Sequence, residues 1–166
     1  MPGSLSDFTA ALSRTTGFLF GNRYRVVINK ISGNTFDVFC SRVELPSVDY
    51  TPVDFDIGGK IVHAPNKLAL GDLQLTFYNT GDEIKKFYEF CDSNIYIRNT
   101  HSIGYYDDMT MEITVYEYNF TNEAKVTRKF EKCILKSISP LTLSYNEATE
   151  VQSFTVGFTC AGMIVS

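Results

Sequence analysis

The sequence has no tryptophan and only two histidines, His63 and His101. It also lacks glycine-rich phosphate-binding loops, GxSxG nucleophile elbows and the Cys/His spacings of metal sites. Because so few side chains could serve as a base beside a nucleophile, we expect no enzymatic activity, no metal and no cofactor. We interpret both histidines, and the adjacent carboxylates Asp107 and Asp108, as solvated surface groups.

Long apolar runs and a secretory signal are missing as well. No stretch approaches the roughly 20 apolar residues that span a bilayer, so we expect no membrane segment. The sequence does not open on a basic segment followed by an apolar core and a cleavage site. Without an oxidising compartment, cysteines stay reduced. We therefore predict four buried free thiols: Cys40, Cys91, Cys133 and Cys160.

An excess of basic charge is also absent, because 15 Lys and Arg face 19 Asp and Glu for a net charge of −4. Proteins that grip nucleic acid usually carry a basic patch, since phosphate contacts dominate their affinity. The charge balance therefore argues against a protein that binds DNA tightly.

Aromatic and β-branched residues are abundant. The 166 residues include 13 Phe and 10 Tyr, and 44% of the chain is apolar. This composition favours strands, and the length suits one domain, residues 1–166. We predict a mainly β fold in which two packed antiparallel sheets form a sandwich or barrel, with one flanking helix and one projecting hairpin.

Strict alternation marks the strands. In the segment 72–79, three apolar side chains (Leu73, Leu75 and Phe77) alternate with polar ones, as in a sheet with one face in the core and one in water. The same reasoning predicts strands at 24–30, 36–43, 109–120, 126–138, 141–145 and 151–160.

One helix is predicted, at 82–92. Thr80 or Asp82 would cap it, since both residue types accept hydrogen bonds from the first backbone N–H groups. Its apolar side chains recur at helical spacing and would face the sheet: Ile84, Phe87, Tyr88 and Cys91.

A long excursion, residues 47–66, separates the second and third predicted strands. The pair Gly58-Gly59 divides it into two extended arms, which is typical of a β-hairpin. Asp54 and Asp56 share one side and could pair with Lys60 or with a base of a neighbour. Because the arms are too apolar to stay in water, we predict that the hairpin stacks on another copy of the chain through Tyr50, Val53, Asp54, Phe55, Asp56, Ile57, Lys60, Ile61 and Val62.

The first 21 residues form an N-terminal arm with scattered apolar side chains. An arm of this kind is normally held against a surface. Two interpretations stay open: the arm lies on another subunit, or it crosses its own domain as a strap.

A small sheet with one helix cannot cover all its faces and edges. Exposed strand edges recruit further chains, and joining sheets edge to edge around a ring removes those edges. The polar faces of such a ring would line a channel. The candidate channel residues are Gln74, Thr76, Thr110, Glu112, Thr114, Ser153, Thr155 and Thr159.

The chain carries a series of segments in a fixed order: Asn22–Ile28, Cys40–Pro46, Gly59–Ile61 with Asp72–Tyr78, the predicted helix, Phe130–Pro140, Leu143–Tyr145, Asn146-Glu147 and Val151–Val156. In this order and spacing, the segments resemble the tail tube proteins of contractile-tailed bacteriophages. The resemblance covers nearly the whole chain, although relatives often carry a tryptophan that this chain lacks.

The resemblance implies a virion structural protein assembled in the host cytoplasm. Hexameric rings would stack into a tube inside a contractile sheath, and the genome would leave through its lumen. The implied partners are further copies of the chain, the sheath, baseplate and tail terminator proteins, and, transiently, the tape measure protein and genomic DNA.

Two alternatives remain at this point. The first is a tube or tube-initiator ring of a related contractile injection or secretion system, which would carry other cargo. The second is a soluble, monomeric β-barrel that acts as a binding module or small hydrolase.

Overall fold

The computed structural model describes residues 19, 21–31, 39–119, 121–141 and 151–166. Most of the N-terminal arm, and all but the first residue of the strand predicted at 141–145, therefore lie outside the described residues. The described strands are β1 (Tyr24–Ile28), β2 (Cys40–Glu44), β3 (Val48–Ile57), β4 (Lys60–Leu70), β5 (Leu73–Tyr78), β6 (Tyr96–Ile97), β7 (Ser102–Ile103), β8 (Thr110–Tyr118), β9 (Ala124–Ile138), β10 (Ser153–Thr159) and β11 (Gly162–Val165).

Seven strands form one antiparallel sheet in the order β1-β8-β9-β10-β5-β2, with β11 also paired to β9. The strands β3 and β4 form a separate two-stranded sheet, and so do β6 and β7. Helix α1 spans Asp82–Phe90, continues as a π-helical turn, Cys91–Ile95, and is followed later by the short helix α2, Tyr106–Met109. The predicted mainly β fold with antiparallel sheets and one main helix is confirmed.

The main sheet packs one face around a single core. In β5, Leu73, Leu75 and Phe77 are fully buried, and the intervening side chains face outward. Strand β10 repeats this pattern with Phe154, Val156 and Phe158. Strands β1, β8 and β9 add further core residues: Val26, Ile28, Met111, Ile113, Val115, Phe130, Cys133 and Leu135.

One edge of strand β9 serves two partners because the C-terminal chain bends beside it, while β8 pairs along the other edge. Its second half pairs with β10 and its first half with β11, and between them Lys132 takes a left-handed backbone conformation with φ of 48°. At this bend Cys133 and Cys160 are joined by a disulfide, whereas Cys40 and Cys91 are free thiols. The prediction of four free thiols is therefore wrong for Cys133 and Cys160, which tertiary pairing brings side by side.

Gly81 is the N-cap residue of helix α1 and adopts φ of 94°. No side-chain oxygen caps the first backbone N–H groups of the helix. The prediction of Thr80 or Asp82 as the cap is therefore wrong. Thr80 instead donates its hydroxyl hydrogen bond to the carboxylate of Glu83, a buried residue of the first turn.

The buried face of α1 also differs from the prediction towards its C-terminal end. Ile84 and Phe87 are buried as expected, but Tyr88 is exposed, Cys91 is only half-buried in the π-helical turn, and Phe90 is buried instead. Residues 84, 87 and 90 follow an i, i+3 spacing, which rotates the buried stripe around the helix relative to the predicted one. One helix thereby covers the aromatic part of the core.

Phe87 contacts three other phenylalanine rings, with centroid distances of 5.6 Å to Phe77, 6.0 Å to Phe154 and 6.4 Å to Phe158. We expect Phe87→Ala to lower the free energy of unfolding by about 3–5 kcal/mol, because it leaves a cavity among these rings. The neighbouring Tyr88→Ala is the matched control. Since Tyr88 is exposed, its change should stay within about 0.5 kcal/mol. Chemical denaturation measures both, and equal losses would contradict this account of the core.

Candidate assembly surfaces

The hairpin of β3 and β4 is long and self-contained. Its strands pair along their whole length, and Gly58 and Gly59 form the turn with φ of 63° and 81°. Left-handed conformations at both central residues are those of a type I′ turn, which glycine adopts without strain. The ten residues of β3 extend about 30 Å at roughly 3.3 Å per residue.

Most of the hairpin's large apolar side chains are exposed. Ile57 and Ile61, next to the turn, are each 66% exposed, and Tyr50 near the base is 64% exposed. Phe55, Val62 and Leu68 are also exposed. Soluble monomers rarely leave so many large apolar groups together in water, so this surface is a candidate interface.

The hairpin's charged residues pair differently from the prediction. Asp54 lies 2.5 Å from Nδ1 of His63, its partner across the strands, and the Asp56 carboxylate accepts a hydrogen bond from the Gly59 N–H at 3.0 Å. Lys60 stands opposite Ile57 instead, on the other face from both aspartates. The Asp–Lys pairing within one hairpin is therefore not formed.

A polar surface covers the outer face of β5 and β10. The hydroxyls of Thr76 and Thr155 lie 2.9 Å apart and are hydrogen-bonded across the two strands. Gln74 and Ser153 are exposed on the same face. The structure thus brings together four of the predicted channel residues on two adjacent strands.

The other four candidates lie elsewhere. Glu112 and Thr114 are on the outer face of β8, and Thr159 ends β10. Thr110, by contrast, is buried, and its hydroxyl donates to the carbonyl of Asp107 at 3.5 Å. Because α2 immediately precedes it, Thr110 does not reach the water-facing surface of the subunit.

Two basic side chains on this outer surface are paired with carboxylates. Lys136 lies 2.5 Å from Asp72, and Lys129 lies 3.1 Å from Glu112. Hydrogen bonds from Lys136 and Thr159 lower the pKa of the Asp72 carboxyl, which keeps it ionised. Each pair offsets one positive charge that would otherwise attract a polyanion.

The two ends of the main sheet, β1 and β2, approach each other. The Tyr24 hydroxyl donates to the carbonyl of Cys40 at 3.1 Å. An open cleft of about 370 Å³ lies there, lined by Leu19, Gly21, Tyr24, Ser41, Arg42, Val43, Leu45, Val115 and Glu117. Among the described strands, β1 and β2 each pair on one side only.

An exposed aromatic surface on the connection between α1 and β8 has no counterpart in the sequence analysis. Tyr105 is 84% and Ile103 is 76% exposed, beside the half-exposed Tyr96 and Tyr106. The absence of any periodicity over these residues hides the two short strands and the short helix that present the aromatic groups.

The described residues offer few further groups for catalysis or metal binding. His101 is exposed, with Nδ1 3.2 Å from the Tyr96 hydroxyl. Within the described ranges, no three His, Cys, Asp or Glu side chains are grouped so that they could hold a metal ion. None of the helices in these ranges combines the length and apolar character that crossing a bilayer requires.

No protein-family profile matches the sequence, and no curated protein matches it. Solved structures do share its fold. A chain of the sheath–tube complex of the PVC extracellular contractile injection system, in its extended state, superposes with a TM-score of 0.69 and 11% sequence identity, covering 99% of this chain and 98% of that chain.

Two further structures come from other parts of such assemblies. A chain of the sheath/tube terminator structure of the PVC system gives a TM-score of 0.69 at 10% identity, covering 92% of this chain and 99% of that chain. A chain of the anti-feeding prophage baseplate, solved with 6-fold symmetry, gives 0.64 at 12% identity, covering 92% and 97%. The fold of this protein is therefore one found in tube, terminator and baseplate structures of contractile injection systems.

Burial at the Tyr24–Cys40 contact predicts that the free energy of unfolding falls at alkaline pH. Burial, with a smaller contribution from Cys40, raises the pKa of Tyr24 from 10.0 to about 12, and burial raises that of the Cys40 thiol from 9.0 to about 12. Since the unfolded chain loses these protons first, stability is complete below pH 9.0 and falls as the pH rises towards 12.

We expect Tyr24→Phe to lose less stability than the wild type over this alkaline range, because it removes one of the two groups. Tyr105→Phe, at an exposed position, is the control and should follow the wild type. Denaturant midpoints at a series of pH values provide the measurement. An unchanged alkaline slope in Tyr24→Phe would show that the buried hydroxyl is not responsible.

Proposed function

We propose that this protein is a structural, non-enzymatic subunit of a tail tube, in which rings of the chain stack into a conduit. The observation that carries the proposal is the hairpin of β3 and β4, which exposes large apolar side chains on a domain whose core is already complete. The shared fold with a chain of a sheath–tube complex, over nearly the full length of both chains, supports the same conclusion.

Ring formation follows from the free edges of the main sheet. Strands β1 and β2 each have one unpaired side among the described strands, and a neighbouring copy placed edge to edge would complete the backbone hydrogen bonds. We propose six copies per ring, a number supported by the 6-fold symmetry of the baseplate structure that contains a similar chain. Closed rotational symmetry uses every edge and leaves none at the surface.

The outer face of β5 and β10 is our candidate for the lumen. Its hydroxyl and amide groups, from Gln74, Thr76, Ser153 and Thr155, carry no charge, and the nearby Lys136 is paired with Asp72. A polyanion could pass such a wall without being retained, because retention needs unpaired cations summed over many subunits. Glu112 and Thr114 of β8 would continue this wall.

The genome of a phage is the cargo that we propose first, inside a contractile sheath and between a terminator and a baseplate. The tube would assemble in the host cytoplasm around a tape measure protein and become part of the virion. A tube, terminator or baseplate ring of a contractile injection system is the second candidate, and the three similar structures, which are a sheath–tube complex, a terminator and a baseplate, favour it. Nuclease-protected nucleic acid inside purified particles would distinguish the first from the second.

Assembly of the purified protein tests the proposal directly. We expect negative-stain electron microscopy to show rings or tubes with 6-fold views, and sedimentation velocity to show a species much larger than one 18.7 kDa chain. A protein that remains a monomer at high concentration would contradict the tube assignment and favour a soluble binding module.

Deleting residues 50–63 should remove stacking while keeping the subunit folded. The prediction follows because the deleted segment pairs only within the hairpin, whereas the core lies in the main sheet and α1. Circular dichroism and thermal melting check the fold, and electron microscopy checks for tubes. Long tubes formed by the deletion variant would show that the hairpin has another role.

A further inference from the structure

The apolar side chains of the hairpin change faces part-way along it. Along β3, the even-numbered residues are apolar in the first part of the strand and acidic in the last part. The odd-numbered residues are polar in the first part and apolar in the last part. The even series is Val48, Tyr50, Pro52, Asp54 and Asp56, and the odd series is Asp49, Thr51, Val53, Phe55 and Ile57. Since successive side chains of a strand point to opposite faces, these two series lie on opposite sides of the ribbon.

Strand β4 changes in the same way, because residues opposite one another across the strands share a face. We define the basal patch as the apolar pairs Val48–Leu70, Tyr50–Leu68 and Pro52–Pro65. We define the distal patch as the pairs Val53–Ala64 and Phe55–Val62, extended by Ile57. Ile61, on the face of the aspartates, is the one large apolar side chain of the distal segment outside this patch.

The change of face coincides with a break in the ladder. The register shifts between Thr51 and Pro52, where β4 carries the extra residue Asn66. Pro52 and Pro65 stand opposite each other there, and neither has an N–H to donate. The hairpin therefore consists of two segments, each with one apolar and one polar face, and the apolar faces point to opposite sides.

We propose that the two patches bind two different copies of the chain, the basal patch a neighbour in the same ring and the distal patch a copy in the next ring. This inference rests on the proposed tube function. A single flat partner surface cannot cover two patches on opposite faces of one ribbon. Two partners can, one on each side.

The distance of each patch from the body of the subunit indicates which copy the patch contacts. The hairpin leaves the body where the Gly71 N–H donates to the Ser47 carbonyl at 2.9 Å, immediately beside the basal patch. The pair Phe55–Val62 lies seven residues beyond Val48 in β3, about 23 Å further out at roughly 3.3 Å per residue. A neighbour beside the subunit meets the basal patch first, and only a copy beyond the end of the ring meets the distal patch.

The size of the ribbon suits contacts with other copies. A face about 30 Å long and about 10 Å wide offers about 300 Å², from the strand dimensions. Each patch covers about half of one face, so it supplies only part of the roughly 800 Å² that each partner contributes to a standard interface. In a tube, each subunit would also contact hairpins that project from other copies. Each subunit would therefore bury apolar surface at several hairpin contacts.

Matched charge pairs can test the two patches separately. The basal variant is Tyr50→Glu with Leu68→Lys, and the distal variant is Phe55→Glu with Val62→Lys. Each places a Glu directly opposite a Lys, which retains cross-strand pairing while removing the apolar surface.

The controls make an acid–Lys pair on the polar face at the same level of the hairpin. The basal control is Thr51→Glu, opposite the native Lys67, and the distal control is His63→Lys, opposite the native Asp54. Circular dichroism should show all four variants folded like the wild type.

Sedimentation velocity and negative-stain electron microscopy, at one protein concentration, give the readout. The distal variant should form rings of wild-type diameter and lose tubes, the basal variant should lose rings, and both controls should assemble like the wild type. Three results would overturn the division of the patches: arrest of both variants at the same stage, tubes formed by either variant, or arrest of the controls. None of these results would change tube formation by the wild type. A wild type that remains monomeric would refute the proposed function itself.

Discussion

The cluster of four phenylalanine rings from β5, α1 and β10 is the contact on which the rest of the subunit depends. Phe77, Phe87 and Phe154 lie with ring centroids 5.6–6.0 Å apart, and Phe158 adjoins Phe87. Aromatic rings at these distances contribute attraction beyond their buried area. The cluster attaches the only long helix of the described chain to the centre of the sheet, so the core is complete without the hairpin.

That independence explains why the hairpin can be so apolar. A segment that the core needed would be buried in the subunit, whereas β3 and β4 form their own sheet and keep Ile57 and Ile61 exposed. Exposed apolar ribbons carry a risk of uncontrolled association. The acidic pair Asp54 and Asp56 on one distal face, and the interruption at Pro52 and Pro65, restrict which surfaces can approach and from which side.

The polar outer face of the main sheet differs from the hairpin, because many of its polar groups are paired with one another. Thr76 and Thr155 satisfy each other's hydroxyls, and Lys136 and Lys129 have carboxylate partners. In the proposed tube, a wall of this kind would need little from the solute that passes it, because several of its polar groups are already paired. The subunit would then combine an extension that binds other copies with a lumen face that does not retain its cargo.

The sequence by itself determined the elements whose pattern is local. Alternation in 72–79 and 151–160 predicts which side chains of β5 and β10 are buried, and Gly58-Gly59 predicts the hairpin turn, because both depend only on the geometry of neighbouring residues. The change of face in the hairpin was also present in the sequence, but its partners on β4 could be identified only from the register.

Tertiary structure decided the features that depend on distant contacts. The choice of Phe90 over Tyr88 for the buried face of α1 depends on where the helix axis lies over the sheet. The pairing of Cys133 with Cys160 depends on the bend beside β9, and the burial of Thr110 depends on α2. Local periodicity carries no information about such contacts, because it records which side of an element is apolar and not which neighbour will cover it.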